Sequence, residues 1–269
     1  MTDKIDFQNT LKTISRFLVG QLNLSSLSGY VVGLSGGIDS ALSATLAVKA
    51  VGAEKVFGVL MPYKTSSEDS RSDAVKLVQQ LGIDHRVVDI SPMIDAYFDG
   101  IDDTMRIRAG NKMARERMSI LFDIAHQKGC LVLGTGNRTE ICLGYTTLFG
   151  DSACSANPIG DLYKTEIRQL AVHLGVPESI VTKAPSADLW ADQTDEGEIG
   201  VTYDEIDGIL RRIVDEGERS IAALEKEGFG AVSISRVVSF LNRNAFKRSL
   251  PPVAPLGRAA VPAYIELES

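Results

Sequence analysis

Two carboxylates and two glycine-rich turns carry the chemistry in this chain. The first turn is Gly33-Leu34-Ser35-Gly36-Gly37-Ile38-Asp39-Ser40. Paired glycines let backbone approach an anion with no Cβ in the way. Ser35 and Ser40 add hydroxyl donors. A turn that closes a strand and opens a helix also aims N–H groups and a positive helix end at one point, which suits a phosphate. Asp39 is the odd member, because a carboxylate beside a phosphate repels it unless a divalent cation lies between them. The second turn is Gly134-Thr135-Gly136-Asn137-Arg138-Thr139-Glu140. Glu140 is the second carboxylate such a cation takes, and Thr135 can bond a phosphate or ribose. No lysine follows the first turn's glycines, so it is not a Walker A loop, and it is no dinucleotide-binding Gly-x-Gly-x-x-Gly either.

These turns need elements that bring them to one edge. Tyr30-Val31-Val32 reads as a short apolar strand before the first turn, and the helix after it is apolar nearly all round, hence buried. Residues 5–22 show helical spacing through Phe7, Leu11, Ile14, Leu18 and Leu22. Further strands are expected at 55–61, 85–90 and 130–134. Helices are expected from a capping box at Thr65-Ser66-Ser67-Glu68, after Ser91-Pro92, and over 111–127 and 165–174. Residues 99–110 read as an exposed polar connection. Strand–helix alternation with continuous apolar strands predicts an α/β, doubly wound, mainly parallel five-stranded sheet with helices on both faces. Ligands in such sheets bind at the carboxyl ends of the strands, where both turns fall. Residues 1–269 are expected to form a single domain. A mobile loop is expected near 186–200, and an extended, proline-containing tail over 250–269.

Composition bounds the partners. The net charge is −7, and 44% of the 269 residues are hydrophobic. That acidity disfavours a nucleic-acid partner, which needs a basic face. No run is apolar enough to span a membrane. Cys130, Cys142 and Cys154 form no Cys-x-x-Cys and read as reduced thiols of a cytoplasmic protein.

The first turn resembles the SGGxDS loop of the ATP pyrophosphatases, the PP-loop superfamily, which cleave ATP between its α and β phosphates and place AMP on a carboxylate or carbonyl. Four more blocks narrow the resemblance: Asn111-Lys112-Met113-Ala114-Arg115-Glu116-Arg117-Met118, Gly144-Tyr145-Thr146-Thr147-Leu148-Phe149-Gly150-Asp151, Pro158-Ile159-Gly160-Asp161-Leu162-Tyr163-Lys164-Thr165-Glu166 and Lys183-Ala184-Pro185-Ser186-Ala187-Asp188-Leu189. With the second turn they resemble the NAD synthetase family, in its ammonia-dependent form, from about residue 5 to the tail. The resemblance implies an adenine nucleotide alpha hydrolase-like fold. It implies amidation of deamido-NAD with ammonia through an NAD-adenylate, with ATP as co-substrate and Mg²⁺ as cofactor. The family's homodimer comes with it.

Residue roles follow from the same resemblance. ATP falls to Gly33, Leu34, Ser35, Gly36, Gly37, Ile38, Asp39, Ser40, Thr135, Lys164 and Ser186. Mg²⁺ falls to Asp39 and Glu140. Deamido-NAD falls to Asn111, Arg115, Leu148, Ser155, Phe246 and Lys247. Lys164 would neutralise the leaving pyrophosphate, and Asp151 would act as general base toward ammonium. Leu148, Ser155 and Phe246 stand where many members have lysine, aspartate and histidine, all on the dinucleotide side. Leu148 and Phe149 look more like the synthetase domain of some glutamine-dependent enzymes. That leaves open a separate glutaminase subunit as ammonia source, since 269 residues have no room for a nitrilase-like glutaminase domain. A GMP synthetase-like core and a non-catalytic adenine-nucleotide-binding protein are the alternatives.

Overall fold

The computed structural model describes residues 5–99, 106–185, 194–254 and 256. Ser186, and the tail from residue 257, lie outside the described residues. Four strands, β1 (Gly29–Gly33), β2 (Val56–Leu60), β3 (Asp84–Val87) and β4 (Cys130–Leu133), pair in parallel in the order β3-β2-β1-β4. The register sets Tyr30 opposite both Val56 and Leu131. The sequence predicted five strands. Among the described residues, in place of the fifth there is one isolated parallel bridge, Leu133 with Ala156. Asn157-Pro158 follows it, and a proline has no N–H to extend a ladder.

The central strands are apolar on both faces, as a covered parallel sheet requires. Tyr30 and Val32 point to one face and Val31 to the other, following the two-residue period. The first face packs on α1 (Phe7–Ser25), α2 (Ile38–Val51) and α3 (Glu68–Leu81) through Leu18, Leu42, Leu46 and Leu77. The second packs on α4 (Ser91–Phe98) and α5 (Arg106–Lys128) through Ile94, Met113, Leu121 and Ile124. α2 buries Ile38 and every residue from Ser40 to Ala47. α3 is capped by Ser67, whose Oγ accepts from the Ser70 N–H, and not by Thr65. α5 begins inside the stretch read as an exposed connection: Arg106 to Gly110 already form its first turn. Arginine and alanine there are strong helix formers, and tertiary packing of Met113 extends the helix backward.

After β4 the regular elements described are helices, with an irregular stretch at 144–163. The chain forms α6 (Arg138–Leu143), α7 (Lys164–His173), α8 (Glu178–Val181), α9 (Asp195–Ile199), α10 (Tyr203–Leu210), α11 (Ile221–Lys226) and α12 (Ala231–Arg243). These build a second core from Leu143, Tyr163, Ile199, Tyr203, Ile206, Ile209, Leu210, Leu224 and Val237. α7 packs on both cores, through Ile167 and Leu170 on the sheet side and Tyr163 on the other, and the N-termini of α6 and α7 meet Asp39 at the carboxyl end of β1. Among the described residues no helix is long and apolar enough to cross a membrane.

Candidate active site

The first glycine turn is held by its own hydroxyls. Ser40 Oγ donates to the Gly37 carbonyl at 3.0 Å and accepts from the Ser35 N–H at 3.3 Å, while Gly37 N–H donates to Ser35 Oγ at 3.2 Å. Gly36 has φ +80°, and a Cβ on it would lie 2.1 Å from the Ser70 carbonyl oxygen. Only glycine satisfies both constraints. Gly37 is the N-cap of α2 and offers no side chain, so the helix start is left open toward an anion.

Asp39, in the first turn of α2, meets the second glycine turn. Asn137 Nδ2 donates to Asp39 Oδ1 at 2.9 Å. Lys164 Nζ donates to Asp39 Oδ2 at 2.5 Å and lies 3.9 Å from Glu140 Oε1. Asn137 and Glu140 form a reciprocal capping box at the start of α6, with bonds of 2.9 and 3.1 Å. The same box that starts the helix therefore turns Asn137 toward Asp39 and Glu140 toward Lys164. Lys164 is the first residue of α7, and its side chain is only 3% exposed. Burial opposes its charge, but Asp39 and Glu140 outweigh burial and hold its pKa above the usual lysine value. Burial, reinforced by the Asp39 charge, pushes the Glu140 carboxyl well above the usual range.

A third carboxylate joins them from α9. Asp195 Oδ2 accepts from the Tyr203 hydroxyl at 2.9 Å, and Asp195 Oδ1 is buried with no hydrogen-bond partner. Lys164 Nζ lies 5.3 Å from the Tyr203 ring centroid. Burial raises the Asp195 carboxyl, against the pull of Lys164. One ammonium thus sits among three carboxylates. That charge deficit fits a hard divalent cation, which takes one or two carboxylates and completes its shell from phosphate and water. Among the described residues no three His, Cys, Asp or Glu side chains form a metal-binding group. Any cation here would rest on Asp39 and Glu140.

A second group forms around residues 144–152. Thr147 Oγ1 donates to Asn111 Oδ1 at 2.7 Å, and Arg115 Nε donates to the Leu148 carbonyl at 3.1 Å. Asn111 and Arg115, four apart on α5, share the face that holds this loop. Asp151 Oδ1 accepts from the Thr147 N–H at 2.8 Å and Oδ2 from the Thr146 hydroxyl at 2.5 Å. Lys247 Nζ donates to the Gly144 and Thr146 carbonyls at 2.9 and 2.7 Å. The structure thus brings Asn111, Arg115, Leu148, Asp151 and Lys247 together. It meets Leu148 through its backbone, however, and gives Asp151 and Lys247 local bonds within the loop.

Three sequence-predicted residues stand apart from these bonds. Thr135 is half-buried in the turn two residues beyond β4. Ser155 Oγ accepts from the Val132 N–H at 3.2 Å, and its side chain lines a cleft of about 240 Å³ with Phe122, His126 and Leu131. Phe246 is 62% exposed. Residues that sequence reasoning gave no role are Asn137, Thr139, Asp195, Tyr203 and Asp207. Asn137-x-x-Glu140 was readable as a capping box. Asp207 was readable as an acid on the buried stripe Tyr203, Ile206, Leu210.

Comparison with known proteins places the chain in a family. The model of the NAD synthase family matches residues 10–251. An NH(3)-dependent NAD(+) synthetase from Fusobacterium nucleatum is 47% identical over 242 residues, 90% of this chain and 93% of that one. Two solved structures superpose over 93% of this chain. The NMN synthetase from Francisella tularensis has a TM-score of 0.81 at 35% identity and is covered over 99% of its length. The NH3-dependent NAD synthetase from Campylobacter jejuni has a TM-score of 0.79 at 33% identity and is covered completely, 100%. Matched by the family model over residues 10–251 and by a relative 47% identical over 90% of its length, the chain belongs to the NAD synthase family.

Proposed function

We propose that this chain is an ammonia-dependent NAD synthetase that amidates the nicotinate carboxylate of deamido-NAD and converts ATP to AMP and pyrophosphate. The observation that carries the reading is Lys164, buried between Asp39 and Glu140 beside the Gly33–Ser40 turn, in a chain of this family. The carboxylate attacks the α-phosphorus and pyrophosphate leaves. Negative charge then grows on the leaving group, where Lys164 and the N–H groups of the turn can neutralise it without reorganising. Asp39 and Glu140 would hold Mg²⁺, which when bound adds Lewis-acid stabilisation of the same charge. Ammonia attacks the acyl carbon of the adenylate and expels AMP. Asp151 is the base proposed to take a proton from ammonium. Thr135 and Ser186 are assigned to ATP. Asn111, Arg115, Leu148, Ser155, Phe246 and Lys247 are assigned to the dinucleotide. The reading includes a homodimer in the cytoplasm, supplied with free ammonia or by a separate glutaminase subunit.

A mononucleotide acceptor is the second reading. Leu148, Ser155 and Phe246 offer no charged group to the second nucleotide, and the Francisella tularensis structure is named an NMN synthetase. One assay separates the two. The purified chain is given ATP and Mg²⁺ with deamido-NAD or nicotinate mononucleotide, and ammonium or glutamine. AMP, pyrophosphate and amide are measured. Amide formed preferentially from deamido-NAD and ammonium supports the first reading. Preference for the mononucleotide selects the second, and no acceptor-dependent AMP release overturns both.

A further inference from the structure

Helix α7 carries Lys164 as its first residue; its N-cap, Tyr163, donates its own N–H to Glu166 Oε2 at 2.8 Å but gives no side-chain acceptor to the first two N–H groups, those of buried Lys164 and Thr165. A helix start buried without acceptors is unstable, and these N–H groups need partners from elsewhere. They find them in two other helices. Lys164 N–H donates to Thr139 Oγ1 of α6 at 3.0 Å. Thr165 N–H donates to Asp207 Oδ2 of α10 at 2.8 Å. Thr139 Oγ1 in turn donates its proton to Asp207 Oδ1 at 2.5 Å. Asp207 and Thr139 are both fully buried. The carboxylate also places a negative charge against the positive end of α7.

We infer that Thr139 and Asp207 form a positioning pair, capping α7 from outside so that Lys164 is held at the leaving pyrophosphate. Thr139 precedes Glu140 directly, so the pair ties the backbones beside Lys164 and Glu140 to one carboxylate. It fixes the start of α6 against the start of α7. Neither residue needs to touch a substrate. Removing the bond leaves the Lys164 N–H buried and unpaired and lets the first turn of α7 shift. Because the ammonium would act on charge present only in the transition state, its displacement lowers the chemical rate more than substrate binding. A shift of about 1 Å at such a group is enough for a loss near 10²-fold.

This inference rests on the proposed amidation, and its test keeps the two apart. Thr139→Val, Thr139→Ser and Asp207→Asn are compared with the unaltered enzyme in rapid-quench single turnovers, following pyrophosphate and then amide. Melting temperature is recorded for each. Thr139→Val should slow pyrophosphate formation at least tenfold, change KM for deamido-NAD less than twofold, and leave the later amide-forming step unchanged. Thr139→Ser, which keeps the hydroxyl, should return pyrophosphate formation to within threefold of normal. Asp207→Asn keeps the shape and gives the same pattern with a smaller loss, which serves if Thr139→Val does not fold. Pyrophosphate formation within twofold of normal in Thr139→Val, or in Asp207→Asn should Thr139→Val not fold, with only the melting temperature lowered, overturns the positioning role. Equal slowing of both steps overturns it too. If the unaltered enzyme makes no pyrophosphate from ATP and deamido-NAD, the functional reading itself has failed.

Discussion

Lys164 Nζ lies 2.5 Å from Asp39 Oδ2, and the two residues are 125 positions apart in the chain. Their contact joins the first turn of α2 to the first residue of α7. Removing one partner of a buried ion pair costs about 3–5 kcal/mol, because the other charge remains buried and uncompensated. Lys164→Met leaves Asp39 and Glu140 facing each other. It should lose stability of about that size and nearly all turnover. Urea unfolding measures the first, and a loss below about 1 kcal/mol would place the pair in a wetter setting than its burial indicates.

Asp39→Asn and Glu140→Gln should each keep the fold. Asparagine retains the bonding shape, and glutamine completes a capping box as glutamate does. Each removes one charge facing the proposed cation. Turnover at saturating Mg²⁺ should collapse in both. The double variant should cost little more than either single, since both groups serve one ion. Multiplicative losses in kcat/KM would show two independent roles.

Asp151→Asn separates the half-reactions. The carboxylate is assigned no part in attack on ATP, so pyrophosphate should still appear, at most one per site. Amide formation should fall by about 10²–10⁴-fold. Raising the pH toward the ammonium pKa should recover part of it, because free ammonia needs no deprotonation. Equal loss of both products without recovery would mean that Asp151 serves only the loop, through its bonds to Thr146 and Thr147.

Asp73 on α3 gives a pH signature. Burial alone would raise its carboxyl, but bonds from Lys183 and Ser179, with the Lys183 and Lys76 charges, outweigh burial and hold its pKa below the usual range. A carboxyl lowered by folding contributes stability that is complete above its unfolded value, about 3.9, and that is lost as pH falls through the lowered folded value. Asp73→Asn should therefore lose about 1–3 kcal/mol at neutral pH, and the gap to the unaltered protein should close in acid. Urea unfolding from neutral pH down through the carboxylate range reads this directly. A gap independent of pH would contradict it.

The turn at Gly33–Ser40 was legible because strand, glycine pair and apolar helix occur in immediate succession. The parallel sheet was legible because its central strands are apolar on every residue. The expected fifth strand is reduced to a single bridge at Ala156, since its pairing is cut short by Pro158, two residues on. Residues 106–110 gave no apolar spacing, so the start of α5 was hidden until its later turns packed on the sheet. Lys164, Thr139 and Asp207 meet only in three dimensions, through helices from distant parts of the chain. Ser155 and Phe246 were placed by the family resemblance alone, and their bonds and exposure here follow from local backbone that a resemblance of motifs does not describe.

The central claim is that the nicotinate carboxylate itself attacks ATP. Deamido-NAD carrying oxygen-18 in that carboxylate tests it most directly, with ATP, Mg²⁺, ammonium and mass spectrometry of both products. The account predicts AMP bearing one oxygen-18 atom and an amide retaining the other, since the oxygen that bonds to the α-phosphorus leaves with AMP. Unlabelled AMP formed alongside amide would contradict the adenylate and require another route to activation.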